Sequence, residues 1–148
     1  MENIKEVVEN LYSKDNKFAY ENLKLLLSES ERSNSVYKYF DRFSLMIEDK
    51  NSYIRSRGII LISANAKWDK ENKIEKIIDG YLKHIMDEKP ITARQCIKVL
   101  PDIAKYKPNL VGPIREALMK ANAGIYPDTM QQLVYKDIAS ALEQINGQ

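Results

Sequence analysis

From Ile4 to Ile145 the apolar residues of this 148-residue chain return every three or four positions, and the pattern itself returns after about 38 residues. Apolar side chains at that spacing lie on one face of an α-helix, whereas a half-buried strand would alternate. Eight stripes of this kind follow one another. They run Ile4 to Leu11, Ala19 to Leu27, Val36 to Ile47, Tyr53 to Trp68, Ile74 to Ile85, Ala93 to Ala104, Leu110 to Leu118 and Met130 to Ile145. Asn51-Ser52, Asp69, Pro90, Pro108-Asn109 and Pro127-Asp128 each stand just before a periodic run, where caps and first-turn prolines belong. The gaps are short, as between packed helices, and no Ser-, Gly- or Pro-rich linker interrupts them. Glycine and proline number five each, too few for the turns of an all-β chain. The expectation is one all-α domain over residues 1–148, with about eight helices in antiparallel pairs.

The longer period adds topology. A shift of 38 lays Gly58 on Cys96, Ile59 on Ile97, Leu61 on Val99 and Ile62 on Leu100. It also lays Ala66-Lys67-Trp68 on Ala104-Lys105-Tyr106. A second shift of 38 pairs Cys96 with Val134, Leu100 with Ile138 and Ala104 with Leu142. Backwards, a shift of 35 pairs Ile54 with Ala19, Gly58 with Leu23, Leu61 with Leu26 and Ile62 with Leu27. A two-helix unit of this length cannot bury its apolar face alone, so successive units stack into one continuous core. Two local features bear on that stack. Gly58 costs its helix about 1 kcal/mol against alanine, which a close neighbouring helix would offset. Pro101 removes a backbone hydrogen bond from the sixth segment and is expected to kink or end it near Ile97 to Leu100.

Bulk properties narrow the class. Hydrophobic residues make up 44% and charged residues 30%, the composition of a folded globular chain and not a disordered one. Residues 1–48 carry seven Lys or Arg against nine Asp or Glu, and residues 49–148 carry 16 against 12. The net charge of +2 is far from the basic footprint of a dedicated nucleic-acid binder. The start is polar and acidic, unlike a signal peptide, and the longest apolar run, Ile59 to Ile62, is too short to span a bilayer. A single cysteine, Cys96, offers no internal disulfide and no paired-cysteine motif. A cytoplasmic protein is expected, with no membrane partner.

The stretch Asp49-Lys50-Asn51-Ser52-Tyr53-Ile54-Arg55-Ser56-Arg57-Gly58 resembles the turn and second-helix start of a HEAT repeat. In that family an Asp in the turn and an Arg six positions on form a ladder between repeats, and Asp49 with Arg55 has that spacing. The second copy departs from it, because Asp87 is followed six positions later by Ala93, with Arg94 one further. The wider stretch from Phe40 to Pro108 resembles small uncharacterised bacterial HEAT-like proteins, some described as SufBD protein. The resemblance implies a short right-handed α-α superhelix of the HEAT and armadillo type. The SufBD description implies a role in iron–sulfur cluster assembly.

Candidate sites are few. His84 has no Cys or His at metal spacing, and zinc sites take three or four such ligands, so it reads as a solvated surface histidine. Cys96 lies on an apolar stripe and reads as an inert buried thiol. Trp68 and Asp69 read as an aromatic plug followed by a helix cap, or alternatively as part of a binding surface. The runs Lys14 to Lys17 and Asp69 to Lys73 read as turns and helix starts. Asp41 with Glu48 has no pocket context. No phosphate loop, nucleophile elbow, zinc-protease motif or calcium loop occurs. No catalytic residue, metal site or cofactor is expected.

The HEAT resemblance places the second helices on the concave face. It thereby nominates Arg55, Arg57, Trp68, Arg94, Lys98 and Lys105 as a binding surface, with ordinary solvated charge as the competing reading. Three functions stay open. The first is a non-enzymatic interaction or scaffold module whose partner is another protein. The second is a HEAT-like DNA-binding protein or DNA alkylation-repair glycosylase acting through Trp68, Asp69, Arg55 and Arg57. The third is an accessory protein of iron–sulfur assembly, although one cysteine and one histidine cannot hold a cluster within a monomer.

Overall fold

A computed structural model describes residue 1 and residues 3–148. Among the described residues every regular element is helical, and eight α-helices succeed one another. They are α1 (Ile4–Glu9), α2 (Asn16–Arg32), α3 (Phe40–Met46), α4 (Ser52–Ala64), α5 (Lys73–Leu82), α6 (Pro90–Tyr106), α7 (Val111–Lys120) and α8 (Asp128–Asn146). Each falls on one of the eight apolar stripes. Where a stripe outruns its helix, a 3-10 turn takes up the difference, as at Tyr37–Tyr39, Ala66–Trp68 and Lys83–Met86. No described helix is long and apolar enough to cross a membrane.

The helix starts follow local chemistry. Asp15 caps α2 by accepting from the amides of Lys17 and Phe18, and Asn51 caps α4 from Tyr53 and Ile54. Pro90 opens α6, where its missing N–H costs nothing. The 38-residue period reappears in these boundaries: α4, α6 and α8 begin at Ser52, Pro90 and Asp128, 38 residues apart in each case. The turns before α4 and α6 match as well. The carboxylate of Asp49 accepts from the amide of Asn51 at 2.8 Å, and that of Asp87 accepts from the amide of Lys89 at 2.9 Å.

The chain divides into two compact units, Met1–Ile74 and Glu75–Gln148, with the boundary inside α5. In the first unit α2 and α4 run parallel. The guanidinium of Arg57 reaches Asn16 at the start of α2, and Asn65 just past the end of α4 reaches Ser30 near the end of α2. Helix α3 packs against α4 at Gly58, where a Cβ atom would stand 2.8 Å from Met46 Cβ and 2.9 Å from the Phe43 carbonyl oxygen. The close approach expected at this glycine is therefore present, and its neighbour is α3. Phe40, Phe43, Met46, Leu26, Leu61 and Ile62 fill the interior.

In the second unit α6 and α8 are also parallel. Three ties advance together along both helices: Tyr126 Oη to the Asp87 carbonyl, Arg94 to Asp137, and Gln148 to the Pro101 carbonyl. Helix α6 runs on through Pro101 to Tyr106, so this proline does not end it. Tyr81, Ile85, Cys96, Ile97, Leu100, Ile114 and Val134 lie in the interior.

Candidate functional site

The six residues nominated for a binding surface separate into buried ties and exposed cations. Arg55 is buried and donates to the carbonyls of Asp49 and Lys50, both at 3.1 Å, so it closes the turn before its own helix. Arg57 is also buried, donating to the Leu11 carbonyl at 2.8 Å and to Asn16 at 3.1 Å, with its guanidinium near the Tyr53 ring. Burial lowers its pKa from the usual arginine value. Trp68 is half-buried and donates its indole N–H to the Ser30 carbonyl at 2.7 Å. Arg94 pairs with Asp137 at 2.6 Å. Only Lys98 and Lys105 are exposed. Two of these six, Arg55 and Arg57, thus stand inside the protein and not on its surface. A buried guanidinium needs its donors satisfied internally, and backbone carbonyls of neighbouring segments supply the acceptors.

Asp69 is likewise internal. Its two carboxylate oxygens accept from the first amides of α5, those of Lys73 and Ile74, each at 2.9 Å, and from the hydroxyl of Tyr37. Burial and this carboxylate push the Tyr37 hydroxyl well above its ordinary pKa. The plug-and-cap reading of Trp68 and Asp69 describes this corner. All four residues that the DNA-repair reading relied on, Trp68, Asp69, Arg55 and Arg57, hold segments of the chain together.

His84 differs from expectation. Its side chain is only 12% exposed, and Nδ1 lies 2.8 Å from the carboxylate of Asp87, which is itself buried. The ring belongs to the elbow between α5 and α6 and is not a freely solvated surface group. Tyr126 donates to the Asp87 carbonyl in the same elbow, and burial raises its hydroxyl pKa to about 12. Cys96 is fully buried, its thiol 3.8 Å from the Tyr81 carbonyl, and burial pushes its pKa far above the ordinary thiol range. Such a thiol is a weak nucleophile and a weak metal ligand. Among the described residues no group of three His, Cys, Asp or Glu side chains is placed to hold a metal ion.

Among the charged and polar residues that the long helices expose, each unit also shows large apolar side chains. On α2, Phe18 and Leu25 are seven residues apart and are 46% and 50% exposed. On the parallel α4, Tyr53 is 58% exposed, and Ile60, seven residues on, is half-buried. Residues seven apart share a helix face, so Phe18 lies in line with Leu25 on α2 and Tyr53 with Ile60 on α4. Tyr20, on a different side of α2 and under the Lys24 ammonium, is 55% exposed. In the second unit the same spacing gives Ile91, Lys98 and Lys105 on α6, all exposed, with Leu133 and Lys136 exposed on α8. An open cavity of about 500 Å³ lies at the Lys105 end, lined by Ala104, Lys105, Pro108, Val111, Ile145 and Gln148. Sequence reasoning missed Phe18, Leu25, Ile91 and Lys136. The 35- and 38-residue shifts that pair Phe18 with Tyr53, Tyr53 with Ile91 and Lys98 with Lys136 contained the signal.

Set against protein-family models, curated proteins and solved structures, the chain matches none of them.

Proposed function

We propose that this chain is a HEAT-like α-solenoid that acts as a non-enzymatic, cytoplasmic protein-binding module, receiving another protein on the exposed faces of its long helices. The observation that carries the proposal is the apolar surface of Phe18, Leu25 and Tyr53 on the adjacent parallel helices α2 and α4. Single exposed apolar residues are ordinary, but several aligned on neighbouring helices characterise protein interaction sites. Aromatic side chains supply large contact area at low entropic cost and are enriched at binding hot spots. The solenoid part of the proposal draws on helix starts repeating every 38 residues, on the shared Asp49 and Asp87 turns, and on the parallel pairs α2 with α4 and α6 with α8.

Site-specific photocrosslinking tests the proposal. A benzophenone amino acid replacing Tyr53 in the native cell should yield one discrete crosslinked protein. The same group replacing Leu45, which is 69% exposed on α3, should yield none. A product from position 45 alone, or none from either, overturns the assignment of the long-helix face.

A further inference from the structure

We draw no further inference here: the strongest candidate, the exposed seam of α6 and α8 from Ile91 and Leu133 past Lys98 and Lys136 to the cavity at Lys105, sets those lysines among the exposed carboxylates Asp102 and Glu143, and nothing in the structure shows what covers it.

Discussion

Gly58 shows how a single residue fixes the packing of α3 on α4. A Cβ atom there would stand 2.8 Å from Met46 Cβ and 2.9 Å from a backbone oxygen, and neither is the movable end of a side chain. Overpacking of this kind costs about 1–3 kcal/mol, more than the roughly 1 kcal/mol of helix propensity that alanine returns. Gly58→Ala should therefore lower the urea midpoint, while Gly112→Ala, which meets nothing within 4 Å in the first turn of α7, should leave stability unchanged or raise it by up to about 1 kcal/mol. Asp69→Ala strands two helix-start amides and the Tyr37 hydroxyl, and the same measurement should show a loss of about 2–3 kcal/mol. Glu29 gives a prediction in pH. Its carboxylate accepts from Ser33 and from Arg32 and lies near the N-terminal ammonium, which together hold its pKa at about 2 against an ordinary 4.5. Its contribution to stability is complete above pH 4.5 and disappears as pH falls towards 2, because the unfolded chain takes up a proton that the folded chain resists. Wild type should thus be more stable than Glu29→Gln at pH 6, and the two unfolding curves should converge near pH 2. At this scale sequence reading recovered caps and start signals, since a cap acts on residues two to five positions away. It did not recover the ties of Arg57 to Leu11 or of Trp68 to Ser30, because partners 46 and 38 residues distant depend on packing.

Among the elements, the eight apolar stripes foretold the eight helices because each helix buries one face, and burial imposes the helical period on the sequence. The differences lie at the ends, where stripes continue into 3-10 turns such as Ala66–Trp68 and Lys83–Met86. Pro101 could have ended α6, yet the helix continues through it with the residue buried. Apolar neighbours on both sides, Leu100 and Ile103, keep the last turn packed. The register of α6 on α8 depends on the half-buried pair Arg94 and Asp137. A double-mutant cycle with Arg94→Ala and Asp137→Ala should return a coupling of about 0.5–1 kcal/mol, shrinking in high salt. No coupling would place the register in the apolar contacts alone.

For the whole molecule, the 38-residue period was legible because three successive long helices carry it, and their starts at Ser52, Pro90 and Asp128 keep it to the residue. The proposed binding surface was harder to read. The HEAT resemblance assigns Arg55 and Arg57 to a concave surface, but both lie inside and join segments of the first unit. Phe18, Leu25 and Tyr53 lie at the surface of that unit's long helices among charged residues such as Lys17, Glu21 and Lys24, and exposed leucine or tyrosine looks like core in a one-dimensional pattern. The central claim is that the long-helix face, and no other, meets a partner. Hydroxyl-radical footprinting of the protein alone and with the protein that crosslinks to position 53 tests it most directly. Oxidation of Phe18, Leu25 and Tyr53 should slow by several fold in the complex, while Leu45 on α3 and Met119 on α7, both strongly exposed, should react as before. Protection of Leu45 or Met119 with Phe18, Leu25 and Tyr53 unchanged would contradict the claim.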